Sequence, residues 1–146
     1  MSRSAIVVSE IDVAALIGEI RSASFGAVSS FIGTVRDVSD GRRVTAIEYS
    51  AYSAMAESEL QRIVDEAEKR FGVSALVVEH RTGLLELGDV SVAIVAAHEH
   101  RSPALECTKF VIEEIKKRVP IWKMEHYEDG MREWVDPTRS KHTSPA

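Results

Sequence analysis

The chain has 146 residues, of which 45% are hydrophobic and 28% charged, so it is long enough for one domain with a real core. Its net charge of −5 gives no overall attraction to nucleic acid or membranes, and its single cysteine, Cys107, excludes an internal disulfide and a multi-cysteine metal site. No apolar run has the length of a transmembrane helix or the form of a signal peptide, so we expect a cytoplasmic protein. Because the net charge is negative, any anion site must be a local basic pocket.

The first half of the chain is predicted to combine short strands with two helices. The predicted elements are a strand at residues 5–8, a helix capped by Asp12, strands at residues 26–36 and 44–52, and a helix capped by Ser53 and ended by Gly72. Residues at helical spacing give the second helix a buried stripe, which comprises Ala56, Leu60, Ile63, Val64, Ala67 and Phe71. The two longer strands are expected to form a hairpin around a long, mobile loop at residues 37–43.

The second half predicts two strands, a helix and a final strand. The strands cover residues 74–81 and 89–97, with turns at Thr82-Gly83 and Leu87-Gly88 between them. The helix is predicted to start with Ser102 as its N-cap and Pro103 as its first residue, and a strand at residues 121–127 follows. This order predicts an α+β fold, a mostly antiparallel sheet with packed helices, in one domain at residues 1–135. Residues 136–146 are predicted to be a loose tail.

The last predicted helix ends in three consecutive cations, Lys116, Lys117 and Arg118, just before Pro120. Proline disfavours helix at the residue before it, so the helix should end near Arg118. Glutamates four residues earlier can pair with Lys117 and Arg118, which leaves Lys116 the least committed to a surface ion pair. The alternative is a solvated basic helix end that complements the helix dipole.

The strand after Pro120 alternates in character, so Ile121, Lys123 and Glu125 should share one face. A lysine between aliphatic neighbours can be partly desolvated, which would lower its pKa toward values useful for acid–base chemistry. The alternative is a lysine that extends past the edge of the sheet into water.

Two further cationic groups stand at predicted element ends. His100-Arg101 precedes a helix, where free amides attract anions, and Arg36 follows Thr34-Val35 at the end of a strand. His98 and His100 have no third ligand at convincing spacing, so no metal site is predicted. There is no P-loop, no dinucleotide fingerprint and no nucleophile triad. The usual nucleotide and metal sites are therefore disfavoured. Arg36 is placed to reach an anion at the end of the sheet, and the alternative is a simple surface arginine beside a pair of loop histidines.

Five groups of residues, in chain order across roughly residues 26–135, carry a more specific signal. They are Phe31-Ile32-Gly33-Thr34-Val35-Arg36-Asp37; Glu48-Tyr49 with Tyr52 and Met55-Ala56-Glu57; His80-Arg81 with Gly83; His100-Arg101; and Lys116 with Pro120-Ile121-Trp122-Lys123-Met124-Glu125. As an ordered set they resemble the large, catalytic subunit family of molybdopterin synthase.

The resemblance implies an α/β-hammerhead fold and a homodimer within a heterotetramer. A small ubiquitin-like sulfur-carrier subunit would bind at each end and insert its C-terminal thiocarboxylate into the pocket. The implied reaction transfers two sulfurs onto cyclic pyranopterin monophosphate to give molybdopterin, in molybdenum cofactor biosynthesis. It needs no metal or organic cofactor, since the sulfur arrives on the partner.

The resemblance also implies roles for individual residues in catalysis and substrate binding. Arg36, His100 and Arg101 would hold the phosphate region of the pterin, and Thr34 and Val35 would line it. The two catalytic residues would also contact the reactants: Lys116 would meet the thiocarboxylate, and Lys123 would act as acid–base or electrostatic catalyst. Met124 and Glu125 would complete the wall.

Three questions stay open at the level of sequence. The first is which lysine transfers protons, and the second is whether the pocket borrows residues from a neighbouring subunit. The third is whether the chain is an enzyme at all, because a non-enzymatic anion-binding or scaffold domain, or a synthase-like subunit without activity, would use the same basic pocket.

Overall fold

The computed structural model describes residues 2–73 and 75–135, and in these residues the chain forms three helices and nine strands in two sheets. In order, the elements are β1 (Ser2–Val7), α1 (Val13–Ile20), β2 (Ala27–Thr34), β3 (Val38–Ser39), β4 (Arg42–Ala51), α2 (Ser53–Phe71), β5 (Ala75–Arg81), β6 (Gly83–Glu86), β7 (Val90–His98), α3 (Arg101–Arg118), β8 (Ile121–Tyr127) and β9 (Arg132–Val135). The tail predicted at residues 136–146 lies outside the described residues.

The first sheet has the strand order β1-β5-β7-β2 and is covered on both faces. Only the β1–β5 pair within it is parallel. On one face, Leu76 and Ile94 pack in a cluster with residues of α2 and α3. On the other face, Val77 and Val95 pack with Leu16 of α1. Coverage on both sides explains why β7 is an almost uninterrupted apolar run.

The second sheet is built around β4 and is entirely antiparallel among the described strands. β8 pairs along one edge of β4, β6 and the short β3 pair along the other edge, and β9 flanks β8. Its inner face forms a small cluster, which comprises Val35, Val44, Ile47, Leu85 and Tyr127. The predicted α+β class with mostly antiparallel pairing is therefore confirmed.

Pro120 separates α3 from β8 as predicted. The helix ends at Arg118, and Val119 is extended, with φ −83° and ψ 125°. Gly72 ends α2 in the left-handed conformation, with φ 65°, and Asp12 caps α1 by accepting a hydrogen bond from the Ala15 amide. These three helix boundaries are confirmed.

The two serine caps predicted for the other helix starts are wrong by one or two residues. The N-cap of α2 is Tyr52, and that of α3 is His100, and neither makes a side-chain cap hydrogen bond. Ser102 lies inside the first turn of α3, where its hydroxyl donates to the Glu106 carboxylate at 3.3 Å. Serine is a favoured capping residue, but neither serine acts as the cap of its helix.

The hairpin predicted between residues 26–36 and 44–52 is also wrong, because β2 pairs with β7 whereas β4 belongs to the other sheet. The intervening residues form a tight β3–β4 hairpin instead of a long loop. Its turn residues Asp40 and Gly41 both have positive φ, at 50° and 77°. The strands β6 and β9 were not predicted.

No helix in the described residues combines the length and the apolarity needed to cross a bilayer.

Candidate active site

A cavity of about 300 Å³ opens where the two sheets meet the C-terminal end of α3. This main cavity is lined by Phe31, Ile32, Gly33, Thr34, Arg36, Val38, Ser39, Val44, Ile47, Tyr49, His80, Ser91, Val92, Ile112, Ile115, Lys116, Val119, Ile121, Lys123 and Glu125. Its volume falls within the range of small-ligand sites, and its walls are apolar with a few convergent charges. Three of those charges are the cations Arg36, Lys116 and Lys123.

Lys116 lies in the last turn of α3 and borders the cavity. The residue as a whole is exposed, but desolvation of its ammonium, followed by the charges of Lys123 and Arg36, lowers its pKa below the ordinary value. In the described part of the chain, no carboxylate lies within ion-pair distance of Lys116. Lysine in such surroundings can act as an acid–base group.

The two cations after Lys116 are committed elsewhere. Lys117 reaches Glu114, three residues back, at 3.5 Å rather than the predicted Glu113. Arg118 makes the predicted ion pair with Glu114 at 3.3 Å, and it also binds two carboxylates of α2. The helix end therefore directs only one of its three cations to the cavity.

Lys123 and Glu125 lie on the same face of β8, as the alternation predicted. The Lys123 ammonium lies 3.2 Å from one carboxylate oxygen of Glu125, and the Tyr127 hydroxyl donates to the other at 2.8 Å. Glu125 is only 2% exposed, and burial by itself would raise its pKa. The hydrogen bond from Tyr127 and the charge of Lys123 outweigh burial and hold the pKa of Glu125 below its usual value.

Arg36 and Thr34 reach the cavity from the end of β2, while Val35 points away from it. The Val35 amide donates to the Asp89 carbonyl at 3.0 Å, and its carbonyl accepts from the Gly88 amide at 2.8 Å. Its side chain is buried in the inner cluster of the second sheet. Val35 thus fixes the backbone that carries its two neighbours.

Three other predicted site residues do not line this cavity within one chain. Met124 lies on the opposite face of β8, where it pairs across the strands with Trp134. His100 and Arg101 are exposed at the other end of α3. The helical rise places Arg101 about 22 Å along the axis from Lys116, so its side chain cannot reach the same cavity.

Several lining residues were not predicted as part of the site, and His80 is the most distinctive. It is 7% exposed, its Nδ1 lies 3.0 Å from the Arg81 carbonyl oxygen, and the Tyr49 ring meets it edge-on at 5.4 Å between centroids. Burial, together with the charge of Lys116, lowers the pKa of His80 to about 4. Its position in the segment His80-Arg81 was the only sequence signal.

A second cavity, of about 90 Å³, adjoins the first. Both are bordered by Ser39, Lys123 and Glu125, so the Lys123–Glu125 ion pair forms their shared wall. Across residues 2–73 and 75–135, no group of three or more His, Cys, Asp or Glu side chains is arranged to hold a metal ion.

Comparison with known proteins gives consistent results. A family model described as "MoaE protein" matches residues 6–118. A molybdopterin synthase catalytic subunit from Thermoplasma volcanium is 44% identical over 119 residues, which cover 82% of this chain and 87% of the relative.

Solved structures agree with these sequence matches. Molybdopterin synthase from Staphylococcus aureus superimposes with a TM-score of 0.83 at 35% identity, covering 89% of this chain and 94% of that one. A chain from a complex of subunits 1 and 2 of molybdopterin-converting factor from Helicobacter pylori superimposes with a TM-score of 0.74 at 26% identity, covering 90% of this chain and 89% of that one.

Proposed function

This chain belongs to the family of MoaE proteins, the catalytic subunits of molybdopterin synthase, and from that membership we propose how its cavity performs the reaction. As a member, it is an enzyme subunit of molybdenum cofactor biosynthesis with an α/β-hammerhead fold. The alternative of a non-enzymatic anion-binding or scaffold domain is not favoured, since the matched relatives are named as catalytic subunits.

The proposed reaction is the transfer of two sulfurs, one at a time, onto cyclic pyranopterin monophosphate. Each sulfur arrives as the C-terminal thiocarboxylate of a small ubiquitin-like carrier subunit. The Helicobacter pylori complex of two subunits supports a small-subunit partner. We further propose that two copies of this chain form the centre of a heterotetramer and that the assembly works in the cytoplasm.

The observation that carries this proposal is the convergence of three cations from three rigid supports. Arg36 follows β2, Lys116 lies in the last turn of α3, and Lys123 lies on β8, and all three border one cavity. Both reactants are anionic, and charge develops on the acyl oxygen when water adds to the acyl carbon of the carrier. The carbon–sulfur bond then breaks, which leaves the sulfur on the substrate and releases the carrier as a carboxylate. Fixed cations in a partly desolvated site stabilise such charge without reorganisation.

The surroundings of the two lysines support different roles for them. Lys116 has a lowered pKa and no neighbouring carboxylate in the described residues, so we propose that it meets the thiocarboxylate and transfers protons during its cleavage. Lys123 is bound to Glu125, whose carboxylate Tyr127 also holds. We propose that Lys123 acts on the substrate as a fixed electrostatic catalyst, with Glu125 as its support.

The phosphate of the substrate is proposed to bind at the mouth of the cavity near Arg36. Thr34 supplies a hydroxyl beside it, and Val35 acts indirectly by anchoring this backbone. Met124 lies on the other face of β8. It would therefore support the cavity wall only as part of the strand that carries Lys123.

His100 and Arg101 fit the proposal only if a second chain supplies them. They are too far from Lys116 along α3 to act in the same cavity. Their exposure leaves them available to a neighbouring subunit, and we propose that each cavity is completed by this pair from the other copy.

The direct test combines this chain with thiocarboxylated small subunit and cyclic pyranopterin monophosphate and measures the dithiolene product. We expect formation of product with two carriers consumed per substrate. The carrier in its plain carboxylate form is the matched control. Lack of product under conditions where an established subunit pair is active would refute the proposed function, and normal carrier binding without sulfur transfer would identify an inactive subunit.

A further inference from the structure

His80 occupies a position where the core gives way to the main cavity. Along β5, Leu76, Val78 and His80 alternate onto the face covered by α2 and α3. Leu76 and Val78 are fully buried in the apolar cluster, whereas His80 borders the cavity. An imidazole at the end of an apolar row brings a polar edge to a wall that is otherwise aliphatic on this side.

The hydrogen bonding of the His80 ring determines which nitrogen is free to act as an acceptor. The Arg81 carbonyl, 3.0 Å from Nδ1, can only accept, so Nδ1 carries the hydrogen. In a neutral ring, Nε2 then has a free lone pair. Burial and the nearby charge of Lys116 favour that neutral form by lowering the pKa of His80. Tyr49, packed edge-on, fixes the plane of the ring.

The charged groups that border the cavity with His80 come from three parts of the fold. They are Arg36 after β2, Lys116 on α3, and Lys123 with Glu125 on β8, while Tyr49 on β4 is the remaining titratable neighbour. Both oxygens of Glu125 already have partners, in Tyr127 and Lys123. Lys116 lacks a carboxylate partner among the described residues, and its charge is the one that acts on His80.

We propose that His80 is a positioning residue for Lys116: both border the main cavity, and the free Nε2 of the neutral ring is the acceptor that directs the Lys116 ammonium into it. A carboxylate there would neutralise the lysine, and a second cation would repel it. A neutral acceptor orients the ammonium and leaves its charge available to an anionic reactant. The inference rests on the proposed function only in taking Lys116 as the group that meets the thiocarboxylate.

Two substitutions separate this role from that of a buried structural histidine. In His80→Asn the amide can keep the donor to the Arg81 carbonyl but loses the acceptor at Nε2. In His80→Gln the side chain extends to the Nε2 position and restores an acceptor there. A structural role predicts that Asn is the better replacement, whereas the positioning role predicts that Gln is.

The first measurement needs no substrate. In the full-length chain with 13C-labelled lysines, the Lys116 ε-carbon resonance is followed as a function of pH. Loss of an acceptor disfavours the ammonium, so His80→Asn should lower the Lys116 midpoint by about one unit, while His80→Gln stays near wild type. The matched control is His126→Asn, a half-buried histidine on the opposite face of β8 from Lys123. An unchanged midpoint in His80→Asn, or an equal shift in the control, would overturn the proposal.

The second measurement is turnover in the reconstituted complex. His80→Asn should reduce kcat by about tenfold or more, the loss expected for a hydrogen bond to a charged group, with KM little changed, and His80→Gln should recover most of it. Lys116→Ala is assayed beside them. If Lys116→Ala is active, the proposed function of Lys116 fails, whereas an inactive Lys116→Ala beside a fully active His80→Asn refutes the role of His80 alone.

Discussion

Three lysines close together in sequence have very different surroundings in the fold. Lys117 is solvated and paired with Glu114, Lys123 is held by a buried carboxylate, and Lys116 faces two other cations with no acidic partner in the described residues. The helical period separates Lys116 from Lys117, and the break at Pro120 places Lys123 on a strand. Chemistry at this site depends on these positions more than on residue type.

Substitution of these lysines one at a time tests that distinction. Lys116→Ala and Lys123→Ala should each reduce turnover by roughly a hundredfold or more, because each removes a fixed charge from the reacting centre. Lys117→Ala is the matched control on the same helical turn and should keep nearly the full rate. Steady-state measurement of dithiolene formation gives the comparison, and a similar loss in all three variants would point to damage to α3 instead.

The depressed pKa of His80 makes a second residue-scale prediction, about stability. Between pH 6.5 and 4 the unfolded chain binds a proton at this residue that the folded chain does not, so the free energy of unfolding should fall as pH falls through this window. The full effect is on the order of 3 kcal/mol.

Urea titrations at several pH values, with wild type and His80→Gln side by side, measure the effect. Carboxylates elsewhere contribute equally to both proteins, so the difference between the two curves isolates His80. Parallel curves from pH 7 to pH 4 would contradict a buried neutral imidazole at this position.

At the scale of secondary-structure elements, the sequence correctly predicted the helix and strand features that are encoded in local sequence patterns. The apolar stripe of α2, the stop at Pro120 and the alternation of β8 each depend on a few consecutive residues, and each agrees with the structure. The pairing of β2 was mispredicted because β7, its true partner, lies about sixty residues further along the chain. Local pattern carries no information about that choice.

The same limit applies to the site. Alternation along β8 correctly grouped Lys123 with Glu125, since both belong to one short strand. His80 was missed because its neighbours Leu76 and Val78 predict a core position, and only the end of the sheet turns that position into a cavity wall. Val35 was predicted to line the phosphate region, and its side chain lies in the core just after an irregular register at the end of β2.

The strand β6 was not predicted, and substitutions in it can test which of its faces is buried. Leu85 is fully buried in the inner cluster of the second sheet, whereas its neighbour Leu84 is 57% exposed. Leu85→Ala should lower the free energy of unfolding by about 3 kcal/mol, the usual cost of a cavity in a packed core. Leu84→Ala should change it by less than about 0.5 kcal/mol, and chemical denaturation measures both. A larger loss from Leu84→Ala than from Leu85→Ala would mean that β6 presents its other face to the core.

At the scale of the whole molecule, the cavity lies at a junction, so no single sheet or helix contains it. Its cations come from the end of the first sheet, from α3 and from the second sheet. Two other predicted site residues, His100 and Arg101, are at the far end of α3. A site shared between two copies would place both sets in one reaction centre.

Subunit mixing tests such sharing. Lys116→Ala and Arg101→Ala proteins should each be impaired when assayed below KM, because each lacks one part of every site. After mixing and exchange, roughly a quarter of wild-type activity should return, since half of the re-paired dimers would hold one intact site of two. If the activity of the mixture is only the average of the two parent proteins' activities, each cavity uses residues of its own chain alone.

The short strand β3 supplies Val38 and Ser39 to the cavity wall but joins β4 through a ladder of only two residue pairs. The helix α3 and the strands β2, β4, β5, β7 and β8, which form the rest of the wall, are all longer. Segments with so few backbone bonds open locally at a small fraction of the global free energy. Product can therefore leave when the β3–β4 hairpin opens transiently, while the charged groups of the cavity keep their positions. Changes at the Asp40-Gly41 turn would then alter the rate of release and leave the chemical step as it is.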